Sequence, residues 1–164
     1  MGFYCLLIED EVMVPGLFLS IALQATPIVA PTTATPRTAE ESAVLAKIDR
    51  VFAALEAGDG QALLEHVDTE GRVTGVGKRA DGSEGARRRS FAEYAGHMTV
   101  GKGFVERITR PTIAIDADIA MVWAPFTIFA NGKVTSCGFD HFDLIREGGV
   151  WKVANLTFST STNC

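Results

Sequence analysis

The apolar positions of this chain change period once, near residue 103. Before that point Val44, Leu45, Ile48, Val51, Phe52 and Leu55 recur at steps of one, three and four, which places them on one stripe of an α-helix. That helix has a marked start and stop. Thr38-Ala39-Glu40-Glu41 is a capping box, and Gly58 supplies the left-handed residue that ends a helix. Asp59 then predicts the cap of a short second helix carrying Leu63, Leu64 and His66. Ser90-Phe91-Ala92-Glu93 is a second capping box, opening a short helix with Phe91, Tyr94 and Met98. Between these helices, Arg72-Val73-Thr74-Gly75-Val76 reads as a short strand and residues 81–85 as a turn. Arg87-Arg88-Arg89 reads as a solvated loop.

After Gly103 the pattern is that of strands. Residues 104–115, 119–130, 133–146 and 150–160 are rich in β-formers. They are separated by Asp116-Ala117-Asp118, Asn131-Gly132 and Glu147-Gly148-Gly149, and three tight connections in succession predict an antiparallel meander. Helices first and a meander afterwards predict an α+β fold, with the helices on one face of a curved sheet. Along 119–130 both parities are apolar: Val122, Phe126 and Ile128 on one face, Met121, Trp123 and Phe129 on the other. One helix layer covers only one face, so the outer face is expected to be buried in a homodimer.

Composition narrows the class. The 164 residues are 47% apolar and 21% charged, a globular balance. They divide into a leader over 1–37 and one domain over 38–164. A net charge of −5 gives no electrostatic reason to expect nucleic acid as a partner. Leu17-Phe18-Leu19-Ser20-Ile21-Ala22-Leu23 has the length of a signal-peptide core and is too short to span a bilayer. No Lys or Arg precedes Arg37, and Glu9-Asp10-Glu11 is acidic. A start at Met13 would bring the apolar run to the N-terminus. Export is the expectation, with a cytoplasmic protein behind an incidental apolar leader as the alternative. Residues 27–36, rich in Pro, Thr and Ala, read as an extended linker. The cysteines are Cys5, Cys137 and Cys164, with no C-x-x-C pair. Cys137 is expected to act as a small buried hydrophobe, and its pairing with Cys164 in an oxidising compartment stays open. The three histidines lie on different elements, with no metal-binding spacing, and no Gly-rich phosphate loop or nucleophile elbow occurs. Neither metal nor cofactor is expected.

The carboxyl of Asp140 stands out within Gly138-Phe139-Asp140-His141-Phe142, at the centre of a predicted strand. A buried carboxylate is costly unless it is paired, protonated or put to use.

These elements, in this order, resemble the nuclear transport factor 2-like superfamily, which includes ketosteroid isomerases and SnoaL-like polyketide cyclases. The resemblance covers residues 40–160. The segment from Arg50 through Ala57-Gly58-Asp59 looks like the end of the family's first helix, and Asp140-His141-Phe142 looks like the penultimate strand of ketosteroid isomerases. Trp123-Ala124-Pro125-Phe126, Ser136-Cys137-Gly138 and Trp151-Lys152-Val153-Ala154-Asn155-Leu156 look like a bacterial lumazine-binding-like subgroup. The resemblance implies a cone: a curved sheet around a long helix, open into an apolar pocket that Asp140 faces. Alternation then puts Gly138 and Phe142 on the same side, with Cys137 and His141 opposite. The pocket expected is Val51, Phe52, Tyr94, Phe126, Asp140, Phe142 and Phe158, with Val122, Ala124, Ile128 and Leu156 also lining it.

Ketosteroid isomerases use a general-base Asp, a Tyr hydroxyl and a protonated Asp. Only the last is matched, by Asp140. The Tyr position corresponds to Val51 and the base falls near Gly75, so isomerisation of steroids by that route is not expected. Tyr94, His66, His97 and Asp49 are the candidates to complete a set, each with an ordinary structural reading beside it. Asp140 itself could instead pair with an inward Arg72 or Arg107. Three functions follow: a homodimeric cone that binds a small apolar molecule with Asp140 as anchor, an acid–base isomerase or cyclase with Asp140 catalytic, or a non-catalytic dimerisation module with a filled cone.

Overall fold

The computed structural model describes residues 36–78, 82–99 and 104–164. The leader, with its signal-peptide and start-site expectations, lies outside these residues.

Helix α1 (Ala39–Ala57) begins at the expected capping box. The Thr38 hydroxyl accepts from the Glu41 N–H, and the Glu41 carboxylate accepts from the Thr38 N–H. It ends at Gly58, at φ 64°. Val44, Ile48, Val51 and Phe52 form its buried stripe. Helix α2 (Gly60–Leu64) is capped by Asp59, and α3 (Phe91–Gly96) by the Ser90/Glu93 box. The strands are β1 (Val67–Lys78), β2 (Glu84–Ser90), β3 (Phe104–Ile108), β4 (Thr112–Asp116), β5 (Ile119–Ala130), β6 (Lys133–Glu147) and β7 (Val150–Thr160). They form one curved sheet in the order β2-β1-β7-β6-β5-β3, with β4 also on the β5 edge. This is an α+β cone, and the sheet is mostly antiparallel. The exception is the parallel pairing of β1 with β7.

The structure corrects several expectations. Residues 104–115 are not one strand. Pro111 lacks an N–H and Arg110 takes φ 44°, so the run breaks into β3 and β4, both paired with β5. The strand expected at 72–76 runs for 12 residues, and Arg87-Arg88-Arg89 belongs to β2, not to a loop. Both signals were hidden because β1 is interrupted by glycines and β2 is an exposed, polar edge strand, so neither shows a run of apolar β-formers. The Asn131-Gly132 hairpin forms as read, with φ 51° and 74°.

Side chains on the inner sheet face meet α1. Phe52 packs edge-on against Phe142, with ring centroids 5.9 Å apart, among Val122, Leu144 and Val153. Arg146 ties the rim together. It donates to Asp118 on the β4–β5 turn at 2.8 Å and to Glu40 at the start of α1 at 2.9 Å, and it lies over the Trp151 ring.

Cys137 is joined to Cys164, with Cα atoms 5.9 Å apart, so it is a crosslink and not a buried hydrophobe. Cys137 and Ser161 also exchange backbone hydrogen bonds of 3.0 and 2.8 Å. Residues 161–164 are thereby held against the part of β6 that leads to Asp140. Cys164→Ser opens a loop spanning a sequence separation of 27 residues. On the chain-entropy argument it lowers unfolding free energy by about 2–4 kcal/mol, measured by urea denaturation without reductant. With dithiothreitol present, wild type and variant should unfold at the same midpoint.

Candidate functional site

Asp140 sits where the alternation of β6 places it, on the inner face and 1% exposed. Its cross-strand neighbours are Ala124 on β5 and Phe158 on β7. It has a partner that inspection of the sequence did not nominate. Glu106 on β3, opposite Ile128 of β5, is 8% exposed, and its carboxyl is close enough to that of Asp140 to share a proton with it. Asp140 Oδ2 is buried and receives no N–H or hydroxyl from the described residues, which leaves the Glu106 carboxyl as its one possible donor among them.

Two carboxyls in a dry site cannot both ionise cheaply. Burial pushes Glu106 up to about 9, and the adjacent Asp140 charge adds to the shift. Burial pushes Asp140 up to about 7, with the hydrogen bond from Glu106 acting the other way. The physical picture at neutral pH is a protonated Glu106 donating to Asp140, so that the pair holds one proton securely and a second on the edge of release.

The pair faces a cavity of about 80 Å³. Its wall is otherwise apolar, with Val51, Leu55, Phe126, Leu156 and Phe158 among the lining residues and Tyr94 at its side. Tyr94 also borders an outer hollow of about 230 Å³ with Arg89, His97, Met98 and Phe104, and a smaller one of about 60 Å³ with Val73, Gly75, Arg87 and Arg89. Burial raises the Tyr94 phenol above its ordinary value, reinforced by Glu106 and opposed by Arg89. Tyr94 therefore stands as a neutral hydroxyl-bearing partition between a carboxyl-lined interior and an arginine-lined mouth.

Of the pocket residues expected, Val51, Tyr94, Phe126, Asp140 and Phe158 line the inner cavity, as do Ile128 and Leu156. Phe52 and Phe142 do not. They are consumed by their mutual contact in the core, and Val122 and Ala124 are buried in the packed part of the sheet. The Gly75 position, where the resemblance puts a base, is covered by an aromatic ring: a Cβ there would come 2.7 Å from Phe158. The other candidates are elsewhere. His66 lies 3.4 Å from Lys47, and burial followed by that ammonium lowers its pKa. His97 borders the outer hollow, Asp49 is exposed in a surface groove beside α1, and His141 is on the outer sheet face near Asp143. Neither arginine neutralises Asp140. Arg107 pairs with Glu56, and Arg72 is exposed.

Glu106 was missed because Phe104-Val105-Glu106-Arg107 looks like an ordinary strand with a solvated charge pair. The available signal was parity: Phe104 and Glu106 share a face, and that face turns inward. Among the described residues no group of three or more His, Cys, Asp or Glu side chains comes together in a way that could hold a metal.

No protein-family model matches the chain, and no curated protein matches it in sequence. Solved structures do match. A cystatin-like-fold protein of unknown function from Nostoc punctiforme has a TM-score of 0.61 at 14% identity, over 79% of this chain and 97% of that one. An NTF2-like protein from Novosphingobium aromaticivorans has 0.60 at 15%, over 76% and 83%. A candidate dehydratase of the NTF2-like family from Streptomyces avermitilis has 0.56 at 16%, over 74% and 96%. The chain shares the cystatin-like, NTF2-like fold of these structures, and at these identities the likeness is one of fold alone.

The carboxyl pair makes stability depend on pH in a defined direction. Both acids have folded values above their ordinary ones, so the native state keeps protons that the unfolded chain releases. That contribution is complete below pH about 4 and is lost as pH rises through about 7 to about 9. Unfolding free energy from urea titrations should fall between pH 5 and 9 by on the order of a few kcal/mol. Glu106→Gln should remove most of the slope. A wild type equally stable at both ends would show that the pair is not buried as described.

Proposed function

We propose that this nuclear transport factor 2-like cone binds a small, mostly apolar organic molecule through the Glu106–Asp140 pair. One observation carries the reading. Asp140 Oδ2 is buried on the wall of an apolar cavity, and no N–H or hydroxyl of the described residues donates to it. An unsatisfied buried carboxyl oxygen costs on the order of 1–3 kcal/mol, and a ligand hydroxyl or N–H placed there recovers much of it. The inner cavity alone, about 80 Å³, suits a small head group. With the outer hollow, which shares Leu55, Tyr94 and Phe104, the space reaches the lower range of small-molecule sites, roughly 300 Å³.

Acid–base chemistry is a second reading, favoured by the unequal protonation of the pair. A protonated Glu106 and an Asp140 that titrates near pH 7 supply a donor and an acceptor side by side. Asp140→Asn separates the two. A catalyst loses turnover while still binding its ligand, whereas a binding protein loses affinity by about 10-fold or more and has no turnover to lose.

Two features of the setting belong to the same proposal. Trp123 and Phe139 stack on the outer sheet face with centroids 5.2 Å apart, and they are 46% and 41% exposed. A flat aromatic patch of this kind is what a second copy of the chain would cover. The Cys137–Cys164 crosslink favours an oxidising compartment, in keeping with export. No helix of the described residues is long and apolar enough to cross a membrane.

Native mass spectrometry of the full chain expressed in its natural host tests these together. The expected spectrum is a dimer whose subunits lack the leader and carry a small organic molecule, released on denaturation. Trp123→Glu should shift the species to monomer at micromolar concentration. A monomer with the leader intact would reject both the dimer and the export reading. Absence of retained mass, together with no stabilisation by any small hydroxylated compound in a thermal-shift screen, would reject the binding reading.

A further inference from the structure

We infer that the ligand is an amphiphilic anion, held with its negative group outward on Arg89 and Arg87 and its neutral polar end inward on the carboxyl pair. This rests on the binding reading above and specifies the class of molecule.

The placement comes from strand register. On β2, Arg89 is opposite Val73 and Arg87 is opposite Gly75 of β1, whereas Arg88 is opposite Thr74. Val73 is buried and borders the inner cavity. Cross-strand neighbours share a face, so Arg87 and Arg89 belong to the pocket side of the sheet and Arg88 to the other. Both border the hollows at Tyr94, and Arg89 borders two of them. Among the described residues neither Arg87 nor Arg89 forms an ion pair, whereas Arg107 and Arg146 are both engaged. Glu93 is near enough to Arg89 to feel its charge but forms no ion pair with it, so two cations without a contacting carboxylate border the pocket and are suited to a carboxylate or a similar anion.

The interior disfavours the opposite orientation. An anion pushed inward would lose its hydration against two buried carboxyls, one of which titrates near neutral pH. A hydroxyl or carbonyl fits there instead: a hydroxyl can donate to Asp140 Oδ2, and a carbonyl can accept from protonated Glu106. Tyr94, shared by all three hollows, lies between the two polar ends, where the apolar body of such a molecule would pass. A cationic or fully apolar ligand would leave one end of this arrangement unused.

The test uses 3-(4-hydroxyphenyl)propionate, its methyl ester and 3-phenylpropionate, titrated calorimetrically into the full chain at pH 7. The acid should bind about 10-fold or more tightly than its ester, and added salt should narrow the gap. Arg89→Gln should abolish that preference, and Arg87→Gln should reduce it. Loss of the ring hydroxyl should weaken binding in wild type and make no difference in Asp140→Asn. Equal affinity for acid and ester in wild type, or a preference that survives Arg89→Gln, overturns the anion inference and leaves the inner site standing. Acid preference without any effect of the hydroxyl would instead reject the role of the carboxyl pair. Failure of all three compounds to bind at millimolar concentration overturns both.

Discussion

The burial of two carboxyl groups in one apolar cavity is the constraint around which the interior of this protein is organised. Asp140 on β6 and Glu106 on β3 are separated by β5 in the sheet, yet both face the same cavity and each shifts the ionisation of the other. The cost of burying them is met by retaining protons instead of by recruiting an arginine. The cavity is thereby left with an acidic floor whose Asp140 Oδ2 receives no N–H or hydroxyl from the described residues.

The rest of the architecture supports that floor. The buried stripe of α1 closes one side of the cone, and the Phe52–Phe142 contact fills its packed end. Arg146 draws the start of α1, the β4–β5 turn and β6 together at the rim. The Cys137–Cys164 bridge anchors the chain end beside the strand that carries Asp140. The hollows that adjoin the acid pair are bordered by Tyr94, Phe104 and Phe158. The acids line the inner of these and the arginines the outer ones.

The resemblance to ketosteroid isomerases extended to one acid and no further. Val51 brings no hydroxyl to the site, and Phe158 covers Gly75, so the base position is replaced by packing. The second acid arises on a different strand. A cone can thus keep a buried carboxyl while changing the group that answers it, and likeness of fold carries no assignment of activity.

Much of the frame was legible from local pattern. Both capping boxes, the α1 stripe and the Asn131-Gly132 hairpin follow from short-range periodicity and cap chemistry, which depend only on neighbours along the chain, whereas the inward orientation of Asp140 was implied by the family resemblance. The site was only half legible. Asp140 stood out because apolar residues flank it, whereas Glu106 was masked by Arg107, which turns away to pair with Glu56. The Cys137–Cys164 pairing, the parallel β1–β7 contact and the arrival of Arg87 and Arg89 at the pocket mouth all join residues distant in sequence. Sequence alone determined the helix caps, the apolar stripe of α1 and the β5–β6–β7 meander. Tertiary structure decided which acids meet, because that depends on sheet curvature and register, and no local pattern encodes either.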